Sequence, residues 1–212
     1  MKVRRWIWLN ALSLVMFGAF VIFLILQSVF GWHAENAEAA QHAAGQQSYL
    51  AYLASGAFVE ATFENWESEF LQIGSYVVLT AYLVQRGSAE SKPISGRTVS
   101  ISGEAAPRRE GFGGFFYNNS LAILLLGMFV LSFVLHLLGG TAAYNAEQIQ
   151  HGQPRVSVLQ FLTNSEFWFQ SMQNWQSEFL AVGVLVVATI FLRQRGSSQS
   201  KRVDDPNTKT GG

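Results

Sequence analysis

Two matching seven-residue elements carry most of the side chains that could do chemistry. Asn65-Trp66-Glu67-Ser68-Glu69-Phe70-Leu71 recurs as Asn174-Trp175-Gln176-Ser177-Glu178-Phe179-Leu180, a pattern written NWxSEFL. In a helix Asn65, Ser68 and Glu69 share a face, and Thr80 lies about three turns further along it. Glu69 and Glu178 each stand at the edge of a short apolar run, and an ionisable group at that depth in a bilayer is a functional candidate. A structural reading covers the same residues. Asn and Glu supply hydrogen bonds across a helical hairpin while Trp66, with Trp175 as its counterpart, anchors at the interface. Both readings stand on the sequence.

A second repeated pair is Glu38 with His42, matched by Glu147 with His151. Four residues apart on a helix, two carboxylates and two imidazoles brought together are a donor set for Zn or Fe. An i,i+4 pair on an exposed helix needs no metal and explains the spacing equally, so no metal is assigned. His33 and His136 have no counterpart, Ala142 and Gln27 occupying the matching positions, and both read as incidental. Gly18, Gly127, Gly74 and Gly183 sit within apolar runs, where small residues permit close helix contact.

Other chemistry is absent. There is no cysteine, which removes thiol nucleophiles and Cys-based clusters. No Walker loop, HExxH, GxSxG or dinucleotide fingerprint occurs, and GFGG at Gly111 is too short to cradle phosphate. The apolar runs hold no evident pair of acids or bases, so a proton relay lacks its usual residues. The expectation is a non-enzymatic protein without catalytic residues, cofactor or metal.

The elements that must position these residues are apolar. Half of the 212 residues are hydrophobic, 14% are aromatic, 13% are charged, and the net charge is zero. Soluble domains carry about 25% charged residues, and disordered chains are poor in aromatics. The neutral balance offers nothing to nucleic acid. Trp6–Phe30 and Leu121–Leu138 are the two long runs without a charge. At about 1.5 Å per residue each can cross a core about 30 Å thick. The first is too long for the usual signal-peptide core of about 7–15 residues. Phe70–Val84 and Phe179–Leu192 are shorter and would be ambiguous alone. They read as spans because each completes a hairpin.

The chain slid against itself aligns its two halves without a gap. Asn10 meets Asn119, Asn36-Ala37-Glu38 meets Asn145-Ala146-Glu147, and Gln85-Arg86-Gly87-Ser88 meets Gln194-Arg195-Gly196-Ser197, followed by Ser91-Lys92 and Ser200-Lys201. A register that persists through polar loops marks an internal duplication. The spacing predicts an all-α membrane protein with four transmembrane helices in two tandem, parallel-repeat hairpins under an outer helical cap. Residues 1–86 form the first hairpin, with spans at about 6–30 and 67–85. Residues 115–195 form the second, with spans at about 118–138 and 176–194.

Charge sets the orientation. Of 14 basic residues, all but Arg155 lie at the N-terminus, in the central loop or in the C-terminal tail. By the positive-inside rule those segments, and both termini, are cytoplasmic. The segments near 32–68 and 140–178 face outward and lean acidic. They are rich in helix formers, Ser48 and Ser157 can cap short apolar turns, and Ser55 can cap the helix that follows. Residues 87–114 (Ser, Gly, Pro and mixed charge) read as a flexible linker, and 196–212 as a disordered tail.

The segments YNAEQIQHGQPRVS, FENWESEFLQ, QNWQSEFLAV and RGSAESKP resemble a bacterial family of integral membrane proteins known only as a domain of unknown function. The first copy departs from the family pattern around WHAENAEAAQHAAGQQ. The resemblance implies a bacterial inner-membrane location and duplicated hairpins, and it brings no activity. The functional expectation is a scaffold or accessory subunit acting through helix association, its partners being the lipid bilayer and a second copy or another membrane protein. The alternative is a small oligomeric transporter or channel using Glu69 and Glu178.

Overall fold

The computed structural model describes residues 2–41, 45–94 and 111–211. Every regular element among them is a helix, and no strand occurs among the described residues. The elements are α1 (Lys2–Leu9), α2 (Ala11–Gln41), α3 (Tyr49–Leu53), α4 (Gly56–Tyr82), α5 (Gly111–Asn118), α6 (Ser120–Gln150), α7 (Val158–Leu162) and α8 (Ser165–Phe191). The bounds of α5 to α8 repeat those of α1 to α4 at one constant offset, the same offset that pairs Asn10 with Asn119.

Local chemistry explains the boundaries. Asn10 and Asn119 mark the α1–α2 and α5–α6 junctions, where each side-chain Nδ2 donates to the carbonyl four residues back, Trp6 and Phe115, at 2.8 Å. Ser48 accepts from the Ala51 N–H at the start of α3. Ser157 forms a capping box with Gln160 at the start of α7, which satisfies two otherwise orphaned donors. Ser55 accepts from the Phe58 N–H in the first turn of α4.

The QRGSxxSK segments end α4 and α8 in the same way. Gly87 and Gly196 adopt φ of 85° and 81°, a conformation that favours glycine. Ser91 Oγ accepts from the Gln85 N–H at 3.0 Å, and Ser200 Oγ from the Gln194 N–H at 2.9 Å. Lys92 Nζ then donates to the Ala81 carbonyl at 2.6 Å, and Lys201 Nζ to the Ile190 carbonyl at 3.3 Å. An ammonium on the last turn meets both the free carbonyls and the negative end of the helix dipole.

Among the described residues, three helices are long and apolar enough to cross a membrane: Ala11–Ala40, Ser120–Gln150 and Ser165–Phe191. α4 matches α8 in length, but Glu60, Glu64, Glu67 and Glu69 crowd its first half and lower its hydropathy. Burial is inverted relative to a soluble protein. Leucine, valine, isoleucine and phenylalanine lie exposed along α2, α6 and α8, while buried positions include Ser68, Ser132, His136, Glu67 and Ser171. Apolar side chains facing outward are what a hydrocarbon solvent requires.

Contacts divide the chain into two units, residues 1–60 with 139–155 and residues 61–138 with 156–212. In the first, a tight crossing joins the start of α4 to α6. A Cβ on Gly56 would meet the Gly139 carbonyl oxygen at 2.7 Å, and a Cβ on Gly139 would meet the Glu60 nitrogen at 2.7 Å. Trp32 Nε1 and Asn36 Nδ2 both donate to the Gln47 carbonyl, and Asn36 Oδ1 accepts from the Gln47 N–H. Those bonds fold the chain back along α2.

In the second unit the C-terminal segment, expected as a disordered tail at 196–212, is tied down by hydrogen bonds through residue 211. Lys201 is 1% exposed, and its Nζ also donates to the carbonyls of Gly87 at 2.5 Å and of Asn207 and Lys209 at 3.2 Å. The Gly87 N–H donates to Thr210 Oγ1, the Gly211 N–H donates to the Ser88 carbonyl, and Ser88 Oγ pairs with Thr189 Oγ1. A polar composition suggested disorder, but one enclosed ammonium organises the segment through backbone carbonyls. The linker expected at 87–114 is likewise a defined turn through residue 94, and α5 begins at Gly111. Its residues 95–110 lie outside the described residues.

Candidate functional site

Within the second unit, α4, α6 and α8 enclose a charged pair. Glu67 on α4 and His136 near the midpoint of α6 are both fully buried, and His136 Nδ1 lies 2.7 Å from Glu67 Oε2. The other carboxylate oxygen accepts from Trp175 Nε1 at 2.9 Å, and His136 Nε2 lies 3.2 Å from Gln170 Oε1. With Gln170 presenting its oxygen, both ring nitrogens face acceptors, the pattern of an imidazolium held against a carboxylate. All four polar groups are thereby satisfied, as an enclosed pair requires.

Helical spacing puts these groups together. Glu64 and Glu67 lie three apart on α4, and Gln170 and Asn174 four apart on α8, so each set projects from one face. Asn174 Nδ2 donates to Glu64 Oε1 at 2.6 Å, which ties the part-exposed Glu64 to the edge of the cluster. Aromatic rings wall it. Phe167, fully buried, lies 4.8 Å from the His136 ring, and Phe133 packs on Phe167 at 5.3 Å. Ser132 on α6 and Ser171 on α8 are each 1% exposed, and neither hydroxyl has a hydrogen-bond partner.

Residues 3–212 match the family model described as Domain of unknown function (DUF6766). The chain belongs to this family. No curated protein and no solved structure matches it. In this member of the family, the NWxSEFL residues take unequal parts. Asn174 and Trp175 enter the cluster, whereas Asn65 is exposed and its side chain donates back to the Ala61 carbonyl. Trp66 packs its ring on Phe63 at 5.1 Å. Ser68 is buried but donates locally to the Asn65 carbonyl, as the exposed Ser177 does to the Asn174 carbonyl. Asn65, Ser68 and Glu69 therefore do not share one environment. Glu69 is exposed and Glu178 part-exposed, near enough for their charges to interact.

The glycines also divide. Gly74 lies against Leu125 and Leu126, where a Cβ would come within 3.1 Å of Leu126. Gly18, Gly127 and Gly183 have nothing within 4 Å of a Cβ, so within this chain they make no close helix contact. Gly183 borders a groove of about 350 Å³ lined by Gln72, Tyr76, Thr80, Glu90 and Phe179. Of the repeated Glu/His pairs, His42 lies outside the described residues, and His151 stands 4.0 Å from Glu147 with both side chains exposed. Among the described residues no group of three or more His, Asp or Glu is placed to hold a metal.

His136 is not incidental: with Glu67 it forms a buried acid–base pair between α4 and α6. A search for identical positions passes over both members, because the copies differ there. The matching positions in the other copy hold Gln27 and Gln176, and Ala61 stands opposite Gln170. The available signal was the departure from the repeat, an acid and a base each replacing glutamine in a different copy.

Proposed function

We propose that the chain is a four-span bacterial inner-membrane protein, built as two tandem hairpins with both termini cytoplasmic, that acts without catalysis as a scaffold or accessory subunit through helix association. The observation that carries this reading is the inverted burial, apolar side chains outside and polar ones within. The constant offset between the element bounds of the two halves supports the tandem arrangement. The unoccupied approaches at Gly18, Gly127 and Gly183 support association, since small residues on apolar helices admit a neighbouring helix. That neighbour is a second copy or another membrane protein.

Cross-linking in native membranes, followed by separation in mild detergent, tests the reading. Oligomers or heteromers that weaken when Gly18, Gly127 and Gly183 are changed to leucine are the expected result. A strict monomer, with pull-downs that recover nothing, overturns it. The proximity and exposure of Glu69 and Glu178 favour a second reading, an oligomeric transporter or channel. Proteoliposome flux that survives Glu69→Gln with Glu178→Gln excludes those carboxylates as its basis.

A further inference from the structure

We infer that Glu67 and His136 form a proton-binding site enclosed by α4, α6 and α8, with H⁺ as its ligand. This goes beyond the scaffold reading and does not rest on it. The first argument is the residue types. Imidazole and carboxyl are the side chains that exchange protons most readily in the range cells maintain, and here they meet at 2.7 Å with no exposed surface. The second is the duplication. The matching positions carry Gln27 and Gln176, neutral amides of similar size and hydrogen-bonding capacity. Both glutamines are exposed, so the ionisable residues stand only where the position is enclosed, the reverse of what desolvation favours, and a buried ion pair is poor evidence of stabilisation in itself. An acid and a base retained away from water point to proton chemistry.

The step balances within the pair. The N–H bond at His136 Nδ1 breaks and an O–H bond forms at Glu67 Oε2, converting imidazolium and carboxylate into imidazole and carboxylic acid at constant net charge. Gain or loss of one further proton changes the net charge by one. Glu64 on α4 is the other ionisable group whose charge reaches His136. It is part-exposed, which makes it the edge at which protons enter and leave. From α8 the cluster receives Gln170, Asn174 and Trp175, none of which titrates in this range. Trp175 and Gln170 are positioning residues: one holds the carboxylate, the other the ring.

The test is ¹⁵N-histidine NMR of the full chain in lipid nanodiscs across about pH 5 to 8. The chain has 4 histidines, and His136→Gln identifies the signal of interest. The expected result is a His136 ring that changes ionisation with pH, with a midpoint that moves by at least about one unit, roughly tenfold in proton affinity, in Glu67→Gln. Glu64→Gln moves it by less. The double variant Glu67→Gln with His136→Gln, which installs the other copy's own residues, keeps wild-type helicity and melting and loses the signal. If Glu67→Gln alone does not fold, ¹³C-glutamate spectra of the wild type decide, because Glu67 and His136 must titrate together. A His136 signal that stays fixed across the range, a midpoint indifferent to Glu67→Gln, or a Glu67 carboxyl that does not follow His136 overturns the proposal.

Discussion

Removing one member of the Glu67–His136 pair strands the other as an uncompensated charge among Phe133, Phe167 and Trp175. Breaking such a pair from one side costs about 3–5 kcal/mol, whereas replacing both partners with neutral groups of similar shape is close to neutral. Glu67→Ala or His136→Ala is therefore expected to lower stability by that amount in denaturant unfolding in detergent, and the double glutamine variant by far less. Equal losses for the single and double variants would contradict this. Asp205 gives a second prediction at this scale. Its carboxylate accepts from Lys209 Nζ at 2.7 Å and from the Arg202 N–H at 3.1 Å. The hydrogen bond from Lys209 holds it below its ordinary value of 3.8, with the Lys209 and Arg202 charges and the Arg202 backbone bond adding to the shift. A lowered aspartate stabilises the fold fully above its unfolded value and loses that contribution as pH falls through the lowered one. The hydrogen-exchange protection factors of residues 202–211, taken relative to the unfolded chain at the same pH, should fall below pH 3.8, and less so in Asp205→Asn. The local Asp205–Lys209 pair is legible from its spacing, whereas the Glu67–His136 pair is not. Glu67 and His136 meet from distant stretches of sequence, and their positions stand out only when the copies are compared for their differences.

Among the elements, glycines of similar appearance have opposite consequences. Gly56→Ala and Gly139→Ala would drive a Cβ to 2.7 Å from backbone atoms, and overpacking of that kind costs about 1–3 kcal/mol. Gly18→Ala, Gly127→Ala and Gly183→Ala meet nothing within 4 Å and should gain helix propensity, up to about 1 kcal/mol each. Melting in detergent should thus fall for the first pair and hold or rise for the other three. Uniform losses would contradict the packing described. What could be read from the chain follows the range of the interaction. Ser48, Ser55 and Ser157 were legible as caps because a cap acts within three residues. The apolar runs of α2 and α6 were legible because length and hydropathy are local sums. The Gly56–Gly139 crossing was not, since nothing in either segment names its partner. The C-terminal segment looked disordered because its order comes from Lys201 reaching carbonyls at Gly87, Ile190, Asn207 and Lys209, not from an apolar core.

At the scale of the whole molecule, the account turns on α4. α2, α6 and α8 are long and apolar enough to cross a membrane, while α4 carries the glutamates that place Glu67 beside His136. Its inner face is polar because α6 and α8 supply His136, Trp175 and Asn174. Its later turns, from Phe70 to Tyr82, are the apolar stretch that would lie in hydrocarbon. If α4 crosses, two hairpins result, and the basic residues of the termini and central loop gather on one side, as the positive-inside rule requires. If it does not, the three remaining spans put the central loop with the α2–α3 connection and separate the two termini. Topology mapping decides between them. Reporter fusions after Gly45, after Gly103 and at the C-terminus should place Gly45 outside and the other two in the cytoplasm. Gly45 and Gly103 on the same side would contradict the four-span account.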